Sequence, residues 1–242
     1  MRAAGAMRLA LFSWALISLT ACGEPRAKGN PELSEDGQTD FKQTEMFKFV
    51  CRTPLESFPY DEAVLLPPSE EWVIWKVLAD ESLHSICWRR AVLTYGAMGD
   101  VQAFRQLNAH LESPYTLASR GRLVSMTHIP EALGMLAGRS RSSEVAVEVV
   151  DALRRCSSPQ HLESVEGWAV EGVISREAAA KKIALECIYA LGLSGHANAL
   201  QILDELERDP SLDERLLRQI KKARAVFQKV VGGEHRLSPY LQ

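Results

Sequence analysis

From Ser69 onward the apolar residues of this chain recur at three- and four-residue spacing almost without a break. That is the period of a helix with one face in a core, and no strand-length run of strict alternation competes with it. Trp72, Trp75, Leu78 and Ala79 set the pattern. Ser69 suits an N-cap, with Glu70 and Glu71 at the positive end of the first turn. Glycines fall mostly where helices should end. The chain is therefore expected to be all-α, with no substantial sheet.

The spacing predicts antiparallel helix pairs. One pair covers about 82–98 and 100–111, turning at Tyr95-Gly96-Ala97-Met98-Gly99-Asp100. A second covers about 115–127 and 130–137, turning at His128-Ile129-Pro130. A third covers about 143–156 and 159–168, and a fourth about 176–193 and 196–208. A last helix covers about 212–230. Pro130 and Pro159 stand where a first helical position should be, the place that tolerates proline best. Second helices then begin at intervals close to those of an α-solenoid.

Two pairs also match in detail. Tyr95-Gly96-Ala97-Met98-Gly99 precedes Ala103, Phe104 and Leu107; Leu191-Gly192-Leu193-Ser194-Gly195 precedes Ala199, Leu200 and Leu203. Both read apolar-Gly-x-x-Gly, then Ala-apolar-x-x-Leu. This resembles the turn and second helix of a HEAT repeat, and the likeness covers about residues 70–210. It is good in the first and fourth pairs and poor in the middle two, where the Gly-x-x-Gly turn is missing. The resemblance implies a short HEAT-like solenoid of stacked pairs. Ala103, Leu107, Ala199 and Leu203 are expected to be buried. Gly96 and Gly192 are expected at equivalent first-helix ends, where a tight turn of positive φ favours glycine. A tetratricopeptide array is disfavoured, because its Trp-Leu-Gly-Tyr spacing is absent.

The other end of the chain carries an address. Met7-Arg8 opens an apolar run from Leu9 to Ala21 that is short for a membrane span and has the flanks of a secretory signal. It closes on Leu19-Thr20-Ala21-Cys22, which resembles the lipobox of bacterial lipoproteins. That resemblance implies cleavage before Cys22 and acylation of Cys22. Two or more acyl chains anchor stably, since each buried methylene contributes about 0.8 kcal/mol. The segments are then a signal peptide (1–21), a lipidated cysteine with a flexible tether (22–43) and an irregular N-terminal cap (44–68). A helical repeat domain (69–231) and a C-terminal tail (232–242) follow. Gly23 after the cysteine favours the outer membrane by the same resemblance, so the expected location is the cell envelope.

Composition narrows the partners. Losing the leader removes Arg2 and Arg8 and none of the 31 acidic residues, so the mature chain stays net negative. That argues against nucleic acid, which needs a basic footprint. Cys51, Cys87, Cys156 and Cys187 remain in an oxidising compartment, where three pairings are open to them. No Cys-x-x-Cys suggests zinc or thiol redox chemistry. Cys87 and Cys187 each lie on an apolar helical stripe and read first as buried small residues.

Catalytic signatures are missing. No His-Glu-x-x-His, Gly-x-Ser-x-Gly or phosphate-cradling glycine loop occurs. His128 and His196 fall at expected turns, where a ring can cap a helix. No cofactor, metal or catalytic residue is assigned. Arg120, Arg122, Arg139, Arg141, Arg154 and Arg155 crowd the middle pairs and suit helix ends or an acidic partner. At least two of Trp72, Trp75, Trp88 and Trp168 should be core. The leading expectation is a lipid-anchored interaction protein that binds a protein or peptide partner. Its second helices would face that partner through Gln102, Arg105, Gln106, Gln201, Asp204 and Glu205. An envelope enzyme with a non-local Cys/His site, or a purely structural lipoprotein, are the alternatives.

Overall fold

In the computed structural model, described for residues 40–52, 58–139, 144–210 and 212–233, eleven α-helices carry the chain. They are α1 (Glu45–Cys51), α2 (Tyr60–Ala63), α3 (Trp72–Ala79), α4 (Ser85–Met98), α5 (Val101–Glu112) and α6 (Ser119–Arg139). Then come α7 (Glu144–Cys156), α8 (Pro159–Ser164), α9 (Arg176–Ser194), α10 (Ala197–Glu207) and α11 (Glu214–Val231). Among the described residues there is no β-strand; a single antiparallel bridge joins Val170 to Ile174.

Local chemistry sets many of the helix starts. Asp100, Ser175 and Asp213 accept from the backbone N–H of Ala103, Ala178 and Leu216, each satisfying one donor that the helix itself cannot. Ser158 does the same for α8, with Pro159 in its first turn. Gly99 (φ 36°) and Gly195 (φ 56°) close α4 and α9 in the left-handed region.

The long helices form two rows. In the first, α4 packs on α6, α6 on α9, and α9 on α11. In the second, α7 packs on both α5 and α10. One hydrophobic core runs from Met46 to Ala223 beneath them, and the described residues all belong to one compact unit spanning 39–242. Ala103, Leu107, Ala199 and Leu203 are buried, as their matched positions require. Trp88 and Trp168 are core, while Trp72 is 41% exposed.

The first row is held unusually close by a recurring triplet. A Cβ on Gly96 would stand 2.5 Å from the Ala132 carbonyl oxygen, and one on Gly134 would stand 2.7 Å from that of Ala190. Gly192 meets the Ala223 carbonyl in the same way. Ala132-Leu133-Gly134 and Ala190-Leu191-Gly192 thus each offer an alanine to the preceding helix and a glycine to the next. Small residues at these crossings bring backbone against backbone.

Several expectations change here. Gly96 and Gly192 are helix-interior residues, outside the positive-φ set; the tight turn belongs to Gly99 and Gly195, and close packing explains the other two. The predicted second and third pairs are partitioned differently. Residues 119–139 form one helix with Pro130 inside it. An interior proline typically costs about 3 kcal/mol, but Met126, Ile129, Leu133 and Met135 are all at most 1% exposed and bind the two halves to one core. Helix α7 is then the partner of α6, and α8 stops at Ser164. Ser69 caps nothing: it lies in a 3₁₀ turn (Pro68–Glu70), and Glu71 precedes α3. The segment expected as an irregular cap contains α1 and α2. Residues 234–242 of the expected tail, Arg141 and the leader lie outside the described residues.

The cysteines are paired. Cys51–Cys87 joins α1 to α4, and Cys156–Cys187 joins the end of α7 to α9. The reading of Cys87 and Cys187 as simple buried residues is half right. They are buried, but each stripe faces a second cysteine that sequence spacing could not select.

Candidate functional site

The first row borders a cleft. Four of its helices present polar residues at helical spacing into an open cleft of about 800 Å³. Helix α6 supplies Thr127, His128 and Glu131; α9 supplies Glu186 and Tyr189; α11 supplies Arg215, Arg218, Gln219 and Lys222; α4 supplies Arg89. On α9 the surrounding positions Ile183, Ala184, Cys187 and Ile188 are fully buried, so Lys182, Glu186 and Tyr189 stand out as a narrow polar stripe. A helix that is otherwise apolar all round is a buried helix, and a polar stripe on it marks the one side left open.

The cleft has its own electrostatics. Glu131 is 6% exposed, and its Oε2 lies 3.0 Å from Nδ1 of His128, one turn earlier on α6. Burial raises the Glu186 carboxyl above its ordinary value of 4.5; Lys182, His128 and Lys222 oppose that rise, and Glu131 adds to it. The Lys222 ammonium lies 5.1 Å from the centre of the Tyr189 ring. Gln219 donates to the Leu185 carbonyl at 3.1 Å, tying α11 to α9 along the floor.

A second, apolar trough of about 590 Å³ adjoins the cleft and shares Arg89, Thr127 and His128 with it. Ile86, Leu123, Val124, Met126, Val173 and Ile174 line it, with Lys182 at one side. Trp168 fixes the loop that carries Val173 and Ile174: its ring is buried, and its Nε1 donates to the Leu111 carbonyl at 3.1 Å.

The residues singled out from sequence lie elsewhere. Cys22 is outside the described residues. Gln102 and Arg105 are exposed on α5, whereas Gln106 is half-buried with its Oε1 2.7 Å from the Tyr95 hydroxyl. Gln201, Asp204 and Glu205 come together on α10 and are engaged within the fold. Gln201 donates to Glu205 at 3.1 Å, Arg154 reaches Glu205 at 2.9 Å, and Arg224 reaches Asp204 at 2.5 Å. Helix α7 packs on both α5 and α10 and so stands between the two groups. The arginines are likewise dispersed as links: Arg139 donates to the Ala97 carbonyl, Arg155 reaches Glu112, and Arg120 sits over Trp88.

His128 is the cleft residue whose place in the fold differs from the one expected. It is within α6, and the ring faces Glu131 rather than capping a turn. His196 does cap, accepting from the Asn198 N–H. Among the described residues, no group of three or more His, Cys, Asp or Glu could hold a metal ion, and no helix is long and apolar enough to cross a membrane. The fold and cleft thus define an all-helical protein with a charged, open groove. No family model, curated protein or solved structure matches the chain.

Proposed function

We propose that this is a lipid-anchored cell-envelope interaction protein whose HEAT-like stack of helix pairs holds a protein or peptide partner in the cleft of the first row. The observation that carries the reading is the cleft itself: four successive helices contribute charged side chains to one open concavity. Stacked helix pairs make such extended surfaces, and these usually bind other chains. The pairing of all four domain cysteines supports an oxidising compartment, which agrees with the lipobox at Cys22 and with attachment at the outer membrane.

The partner surface differs from the one expected. In HEAT arrays the second helices face the ligand; here the cleft is lined by α4, α6, α9 and α11.

A photocrosslinking amino acid at Tyr189 or Lys222 should yield a discrete adduct in intact envelopes, and one at Arg105 should not. Adducts from Arg105 alone would move the site to the second row. For the anchor, Cys22→Ser should abolish incorporation of labelled fatty acid. Equal labelling of both proteins would remove the lipid from the proposal.

The alternative of an envelope enzyme has one observation in its favour, the His128–Glu131 pair beside the raised Glu186. Its cysteine version is disfavoured, since the four domain thiols are in disulfides.

A further inference from the structure

We infer that the groove selects a peptide segment in which acidic side chains lie next to aliphatic ones, the acids going to the cationic cleft and the aliphatic groups to the adjoining trough. The inference deepens the reading above and rests on it.

Charge supports the acidic half. Arg89, Lys182, Arg215, Arg218 and Lys222 line the joined cavities, against the carboxylates of Glu131 and Glu186. One of those carboxylates already lies against His128, and the other is half-buried on α9. Glu214 engages Arg218 at 3.0 Å, but both are exposed on the rim, and exposed pairs of this kind exchange partners at little cost. The field in the cleft is therefore positive although the whole chain is negative. Arginine forks and a lysine ammonium together suit carboxylates.

The apolar half is equally specific. Val173 is 65% exposed at the trough edge, and Ile86, Leu123, Val124 and Ile174 are half-buried. Covering them removes apolar surface from water at roughly 25 cal/mol per Å². Because Arg89, Thr127 and His128 line both cavities, a ligand must place its acid and its apolar group a few residues apart. Extended chains do this naturally, with like-facing side chains about 7 Å apart. A polypeptide fits better than a lipid. Both cavities are open to solvent, so an acyl chain would stay half wet. A peptide supplies its own backbone as the outer cover.

The test uses the full-length acylated protein in detergent micelles and an array of N-acetylated, C-amidated heptapeptides varied at every position. Selected peptides should pair Asp or Glu with Leu, Ile or Val. Replacing the acids with Lys should weaken binding roughly tenfold or more, the equivalent of about 1.4 kcal/mol. The double variant Arg215→Glu, Lys222→Glu changes exposed side chains only; it should reject the acidic peptides and take the Lys-substituted ones. That exchange cannot come from misfolding. Val173→Asp should remove the aliphatic preference while leaving the acidic one. Selection indifferent to charge, or unchanged in the double variant, would overturn the inference. So would phosphatidylglycerol vesicles that compete the peptides away through Arg215 and Lys222, which would make the ligand a lipid. If cleft crosslinks at Tyr189 form while the array shows no acidic preference, only this inference fails. If no cleft crosslink forms, the underlying reading falls with it.

Discussion

Gly192 lies directly against the backbone of Ala223, with the Ala223 carbonyl oxygen occupying the space a side chain would need. The same relation holds between Gly96 and Ala132, and between Gly134 and Ala190. Three crossings of the first row therefore rest on the absence of a methyl group.

Two effects compete when that methyl is restored. Alanine in a helix interior is favoured over glycine by about 1 kcal/mol. Overpacking a tight contact costs about 1–3 kcal/mol, and the obstacle here is a carbonyl that cannot move alone. Gly192→Ala and Gly96→Ala should each lower the urea midpoint. An increase at both positions would show that the helices can part without cost.

The disulfides close segments of 36 and 31 residues. Chain-entropy reasoning assigns each about 3–4 kcal/mol through the unfolded state. Cys156→Ser with Cys187→Ser, or treatment with dithiothreitol, should lower Tm by several degrees. A melting curve indifferent to reductant would show that the bonds do not form.

Trp168 satisfies one of the last carbonyls of α5, a group with no partner inside its own helix. Trp168→Ala should cost about 3–5 kcal/mol for the lost ring. Trp168→Phe keeps most of the apolar area but strands the Leu111 carbonyl, so it should cost about 1–3 kcal/mol. Equal stability of the phenylalanine variant and the parent, measured by denaturant unfolding, would discount the hydrogen bond.

Glu186 should set a pH dependence of definite sign. Burial makes the folded state hold this proton more readily than the unfolded state does. Stability therefore falls as pH rises from the ordinary 4.5 through the raised folded value. Glu186→Gln removes that penalty. Its Tm should exceed the parent's at neutral pH and converge with it below 4.5. A gap that persists in acid would assign the gain to packing instead of charge.

Much of the architecture was legible in the sequence because it is local. Helical periodicity, the two Gly-x-x-Gly stretches near the ends of α4 and α9 and the burial of Ala103, Leu107, Ala199 and Leu203 all follow from residues within a turn or two of one another. Pro130 shows where local reasoning stops. Its ring argues for a helix boundary, yet the apolar stripe on both sides of it is buried in one core, and that packing outweighs the lost hydrogen bond.

The candidate site was the least legible part. Lys182, Glu186 and Tyr189 form a readable polar stripe on α9, but nothing local says that α6 and α11 aim His128, Glu131 and Lys222 at the same space. The partners Cys51–Cys87 and Cys156–Cys187, and the Gly–Ala contacts within the first row, are likewise meetings of segments tens of residues apart. The sequence by itself determined the helical class, most helix ends and the buried faces. Only the tertiary structure decided which helices pair, which glycines close a turn and which permit a crossing, and which helices line the cleft, because those outcomes depend on competing contacts summed over the whole core.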